Sequence, residues 1–146
     1  MNNQLLTAAD LLKKESKAFE LKIRGDCMEP ALMCGDRVSV STTGHNIPGD
    51  IVVFHNSQGD LVAHRFLGYT LSLRGIRLMT KPDRSNKIDG LLEPDQILGK
   101  LTHNKSLNSE IKISIPKRFF CLVSLVRISF GLALRKLLKK QAHSEV

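Results

Sequence analysis

The sequence predicts a mainly β fold, and three observations carry that prediction. Between residues 19 and 103, apolar and polar residues alternate in short runs, as Phe19, Leu21 and Ile23 do against Glu20, Lys22 and Arg24. Turn formers punctuate those runs: Gly35-Asp36, Gly44, Pro48-Gly49-Asp50, Gly59-Asp60, Gly75, Pro82-Asp83 and Asp89-Gly90. No long amphipathic helical pattern interrupts the span, so strands must build its core.

In chain order, the first expected element is a helix over 4–19. Leu5, Ala8, Ala9, Leu12 and Phe19 fall near one stripe, with Lys13, Lys14, Glu15 and Lys17 off it. Thr7 three residues before Asp10 matches a capping box, and the segment is too polar to span a membrane. Strands are expected over 19–24, 37–41, 50–55, 61–67, 70–73, 76–80 and 96–102. Residues 103–118 read as a connector and an edge strand ending at Pro116.

The apolar run over 119–134 is shorter than the ~20 residues needed to cross a bilayer. It is flanked by Lys117 and Arg118, and by Arg135, Lys136, Lys139 and Lys140, with Ser124 and Arg127 marking a polar edge. Two readings fit: a basic helix lying in a membrane interface, or a C-terminal helix docked on its own domain. The chain thus divides into an N-terminal helix (1–18), a core (19–106), and a connector with a basic amphipathic helix (107–146).

With 146 residues, 42% apolar and 25% charged, the chain suits one globular domain. The formal net charge of +8 favours anionic partners, and residues 112–140 hold eight Lys or Arg and no acid. Nucleic acid is not expected among those partners. Aromatic residues make up only 5% of the chain, Trp is absent, and no helix-turn-helix pattern is present. Three irregularly spaced cysteines describe no disulfide framework and suit a reducing compartment. Without a basic start followed by an apolar run, no secretory signal is read. The expected location is therefore cytoplasmic, or peripheral at the inner face of the membrane.

Cys27 is the residue with the clearest chemical candidacy. Gly25 permits a sharp bend after the first strand, Pro30 suits a fixed turn, and Gly35-Asp36 returns the chain to Val38 and Val40. A thiol on such a corner is either a nucleophile or a small packed hydrophobe. With a pKa of ~8.5 a free thiol is a few per cent ionised at neutral pH, and an adjacent imidazolium raises that fraction. Cys27, Cys34 and His64 make a poor metal site, because the cysteines are widely spaced and a fourth ligand is missing. Neither metal nor cofactor is expected. Cys34 and Cys121 read as packed thiols, and His45, His55, His103 and His143 as surface residues.

Four segments, in order, resemble the boxes of the signal peptidase and LexA superfamily, most closely those of the archaeal and endoplasmic-reticulum signal peptidases. They are Cys27-Met28-Glu29-Pro30 with Gly35-Asp36; Gly49-Asp50-Ile51-Val52; His64-Arg65; and Thr80-Lys81-Pro82-Asp83. The family pattern reads Ser-Met-Glu-Pro with Gly-Asp, Gly-Asp-Ile-Val, His-Arg and Thr-Lys-Gly-Asp. The resemblance covers residues 19–102 and implies that superfamily's complex β fold. It places Cys27 at the nucleophile, His64 at the general base, and Asp89, six residues beyond Asp83, as its orienter. Asp83 matches the box's other functional aspartate. Gly25, Asp26, Met28 and Pro30 become substrate-binding neighbours of the nucleophile, although Gly25 has no side chain to assist an oxyanion.

Two departures stand out: Cys27 replaces Ser, and Pro82 replaces Gly. The first is compatible with a thiol protease, with a replaced serine, or with an inactive relative. The resemblance implies an endopeptidase that removes a leader or signal segment from a precursor, docked extended along a strand edge with small residues before the cut. The competing functions are an inactive peptide-binding relative and a LexA-like self-cleaving regulator. The latter calls for a DNA-reading domain and a lysine where His64 stands.

Overall fold

The computed structural model describes residues 10–15, 17–56, 58–72, 75–85, 87–111, 113, 115–116, 118–119, 121–123, 125–127 and 130–131. Among them, seven strands form one antiparallel sheet. These are β1 (Phe19–Lys22), β2 (Arg37–Ser41), β3 (Ile51–His55), β4 (Leu61–Ser72), β5 (Gly75–Lys81), β6 (Ile97–Asn104) and β7 (Ser109–Glu110). The spatial order is β1-β2-β6-β3-β4-β5, with β7 pairing β6. The mainly β expectation holds.

Alternation explains the layering. In β2, Val38 and Val40 point into the core while Arg37, Ser39 and Ser41 face outward. β3 is central, paired to β4 and β6, and buries both faces. Ile51 and Val53 join Met28, Leu32, Val38, Val40, Leu98 and Leu101 on one side. Val52 and Phe54 join Phe66, Leu78, Leu92 and Ile97 on the other. Each such buried side chain is worth about 1.5–3 kcal/mol of transfer free energy. β6 fits between β2 and β3 because residue 99 is glycine: a Cβ there would lie 2.4 Å from the Ser41 carbonyl oxygen.

Both Gly-Asp boxes close turns. Asp36 Oδ2 accepts the Met33 N–H at 3.0 Å and the Asn104 Nδ2–H at 2.8 Å. Asp50 Oδ2 accepts the Ile47 N–H at 3.0 Å. These carboxylates hold strand entries rather than reacting atoms.

Several expectations need correction. The expected runs 61–67 and 70–73 merge into one strand as far as Ser72, residue 73 lying outside the described residues, because Gly68 hosts a register shift rather than a turn. Phe19 pairs with Val40 in β1 and is not helical; its alternation with Leu21 outweighs the helical spacing. Of the expected first helix, residues 10–14 are helical, while Leu5, Thr7, Ala8 and Ala9 lie outside the described residues. Pro116 does not end an edge strand. It lies in the first turn of a helical segment, where its missing N–H costs nothing. Cys34 is exposed, not packed, whereas Cys121 is buried. His45 is exposed, but His55 is largely covered and pairs with Asp10 at 3.3 Å; His143 lies outside the described residues.

Helical residues continue from 115 to 131 wherever that stretch is described. Cys121 and Leu125 pack on Leu67 and Met79, and Arg118 bonds the Pro48 carbonyl and pairs with Asp50. Among the described residues no helix is long and apolar enough to cross a membrane.

Candidate active site

β4 carries His64 in the strand opposite Val52 of β3, where its ring meets Phe54 edge-on at 5.9 Å between centroids. The chain after β5 turns through Pro82-Asp83 and returns so that the Asp89 N–H donates to the Thr80 carbonyl at 2.9 Å. That return brings the Asp89 carboxylate against the imidazole. His64 Nδ1–H donates to Asp89 Oδ2 at 2.7 Å, and the Thr80 hydroxyl donates to the same oxygen at 2.6 Å. With its proton fixed on Nδ1, a neutral imidazole keeps Nε2 free to accept one. The His64 side chain is only 11% exposed, so solvent does little to loosen this arrangement.

Asp83 has a different partner. The Arg65 guanidinium grips its carboxylate through two nitrogens and donates a third bond, 2.8 Å, to the Gly49 carbonyl. Arg65 is 6% exposed on its side chain, so the bidentate pairing satisfies a buried charge. Adjacent strand residues thus engage separate carboxylates: His64 takes Asp89, and Arg65 takes Asp83.

Cys27 lies in the turn entered through Gly25 at φ +81° and left through Gly35 at φ +97°. Its carbonyl accepts the Arg84 N–H at 3.1 Å, which ties this turn to the loop bearing Asp83 and Asp89. The Arg84 side chain pairs with Asp26 and Glu29. The thiol is half-buried, and burial pushes it above its ordinary pKa. Its own backbone N–H opposes that rise, and the negative charges of Asp26, Asp89 and Asp83 add to it. At rest the sulfur is therefore a thiol, and it needs a base to become a nucleophile.

A groove of about 530 Å³ runs beside Cys27. Its floor is apolar, from Leu21, Ile23, Met28, Leu32, Val53 and Leu61, and Lys22, Arg24, Glu20 and Asp60 stand at its margins. Two strand segments border it. Among the described residues, β1 has a neighbour only in β2, and β4 is paired with β5 only from Arg65 onward, leaving the Leu61–His64 stretch paired with β3 alone. Of the four expected substrate-binding residues, Met28 lines the groove while sitting 2% exposed in the core. Gly25, Asp26 and Pro30 lie on the exposed outer side of the turn, and Asp26 is engaged by Arg84.

Thr80, Arg65 and Arg84 are the site residues to which the sequence reading assigned no role. Thr80 had a signal: it is a hydroxyl in a buried run with Leu78 and Met79. No group of His, Cys, Asp and Glu suited to a metal ion occurs among the described residues.

A sheet that sets a thiol-bearing turn, a histidine–carboxylate pair and an open groove side by side has the equipment of a peptidase. The chain matches the family model Peptidase S24-like over residues 2–101, and it belongs to that family. The match spans every residue of the site and stops before the C-terminal helix. Family membership points to peptidase or LexA-like self-cleaving activity. A comparison with curated proteins finds no match.

Proposed function

We propose that the protein is an endopeptidase that cleaves a leader or signal segment from a precursor peptide, with Cys27 as nucleophile, His64 as general base and Asp89 as its orienter. The observation that carries this reading is the Asp89–His64 bond, made by a loop whose Arg84 N–H also bonds the carbonyl of Cys27, the thiol-bearing residue. The groove supports an extended substrate, because both bordering strand segments offer backbone groups to a peptide strand.

In the proposed reaction, His64 Nε2 takes the Cys27 proton as Sγ adds to the scissile carbonyl carbon. The oxyanion is met by backbone N–H groups of the turn, Gly25 offering no side chain. The imidazolium then protonates the departing amine, the C–N bond breaks, and a thioester remains on Cys27. Water, deprotonated by His64, hydrolyses the thioester and releases the acid.

The test uses purified full-length protein, a panel of quenched fluorescent peptides, and a peptide aldehyde. Cys27→Ala is expected to lower turnover by roughly four orders of magnitude or more at unchanged melting temperature. The aldehyde should form a hemithioacetal at Cys27 and at neither Cys34 nor Cys121. Wild-type cleavage by Cys27→Ala would remove Cys27 from the mechanism. Aldehyde capture without turnover of any peptide would favour the inactive binding relative.

A further inference from the structure

The C-terminal helical segment shows the protein two faces. Arg118, Cys121 and Leu125 form the docked stripe, seated on Leu67 and Met79 and fastened at Asp50 and the Pro48 carbonyl. Gly68 admits it: a Cβ there would lie 2.5 Å from Leu125 Cδ2. Phe119, Leu122, Val123, Val126 and Phe130 form a second stripe, centred roughly 120° away at about 100° per residue. These five side chains are between 40% and 70% exposed. Docking on the sheet therefore leaves the larger apolar face of the helix uncovered by any described residue. Contiguous exposed apolar surface of this kind marks an interaction site.

We infer that this outward stripe docks on an anionic phospholipid surface. Charge selects that occupant. Exposed Arg127 borders the stripe, and residues 112–140 contain eight Lys or Arg with no Asp or Glu. Lys112, Lys117, Arg135, Lys136, Lys139 and Lys140 among them lie outside the described residues and enter this count as sequence alone. Such a density of cations attracts anionic headgroups near the surface. The same density opposes a second copy of this chain, whose own segment would bring equal positive charge face to face. Phe119, Val126 and Phe130 supply the part that enters the acyl boundary. Because the other stripe is fixed to β4, the strand that also carries His64, lipid binding would hold the catalytic strand beside the membrane surface. This inference stands on the helix alone and does not require the peptidase reading.

The experiment is co-sedimentation of the full-length protein with vesicles of equal parts phosphatidylglycerol and phosphatidylcholine, beside vesicles of phosphatidylcholine alone. Binding is expected to the anionic vesicles only, with release as salt rises from about 0.05 M to about 0.5 M and the Debye length shrinks. Val126→Asp with Phe130→Asp should cut the bound fraction about tenfold at unchanged melting temperature. Reversing Arg135, Lys136, Lys139 and Lys140 to Glu should do the same. Leu125→Ala should lower the melting temperature and leave vesicle binding in place. Wild-type protein that stays in the supernatant at low salt overturns the inference. So does an apolar double variant that splits a dimer in the ultracentrifuge while still binding vesicles.

Discussion

Cys27 occupies a turn bounded by two glycines at positive φ and closed by its own backbone bonds, to which Arg84 adds one backbone bond at Cys27 and ion pairs with Asp26 and Glu29. His64, by contrast, lies in a strand paired to β3, with an aromatic ring on one side and a carboxylate at 2.7 Å that is itself held at 2.6 Å by Thr80. The contrast fits the roles proposed for the two groups. A base works only with its proton on the correct nitrogen, which a chain of short hydrogen bonds enforces. A nucleophile must travel toward a carbonyl carbon and back, and a turn tolerates that displacement better than a strand does. The two carboxylates repeat the contrast: Asp89 serves the imidazole, while Asp83 neutralises a buried guanidinium.

The sharpest way to break the comparison is to convert each carboxylate to its amide. Asp89→Asn can donate to Nδ1 and so shift the ring proton to Nε2, where a base is needed. Peptide turnover is expected to fall by about 10³–10⁴ with little change in melting temperature. Asp83→Asn strands the Arg65 charge, and the cost falls on the fold: about 3 kcal/mol, or roughly 10 °C in melting temperature. If Asp83→Asn silenced turnover in a fully stable protein, the assignment of Asp83 to the Arg65 pair alone would fail.

Thr80→Val keeps the shape of a side chain with 0% exposure and removes one of the two bonds to Asp89 Oδ2. Loss of such a charge-assisted bond is worth about 1.5 kcal/mol, so kcat should drop roughly tenfold at constant KM. A purely structural role would instead lower the melting temperature and leave the pH profile of kcat alone.

The smallest expected effect is on the looser half. Asp26 is one of the negative charges that hold the Cys27 thiol above its ordinary pKa, behind the larger effect of burial. Asp26→Asn removes a charge that disfavours the thiolate and leaves Arg84 less neutralised, so both changes act in one direction. The pH midpoint for iodoacetamide labelling of Cys27 should move down, read by mass mapping against Cys34 and Cys121. A midpoint that moves up would mean that the turn rearranges without its ion pair.

Legibility in the sequence followed the range of each interaction. Strands whose apolar and polar residues alternate, such as β2, were readable because burial on one face writes itself into neighbouring positions. The bulge at Gly68 was not, since a glycine in a strand and a glycine in a turn look alike until a partner strand, here β5, fixes the register. The candidate triad could be assembled only as an ordered set of short boxes. Nothing local to Asp89, in a loop of turn formers, distinguishes a carboxylate that reaches His64 from one that closes a turn, as Asp36 and Asp50 do. The exposure of Cys34 and the burial of Cys121 depend on which surfaces meet across the fold, and spacing along the chain carries no record of that.

The position of β6 has a consequence for the order in which the protein is made. The thiol belongs to the β1–β2 side of the sheet and the imidazole to the β3–β4–β5 side, and among the described strands only β6 joins them. Its residues are the last of the four central strands to leave the ribosome, and its pairings with β2 join residues about sixty positions apart. Contacts of such separation form late and slowly. The narrow fit that Gly99 allows against Ser41 means that the join closes only when β6 is correctly seated. A growing or misregistered chain therefore carries Cys27 and His64 on two parts of the sheet that have not met. The candidate site comes together with the completed sheet and not before it, and the proposed peptidase activity would arrive with the finished fold.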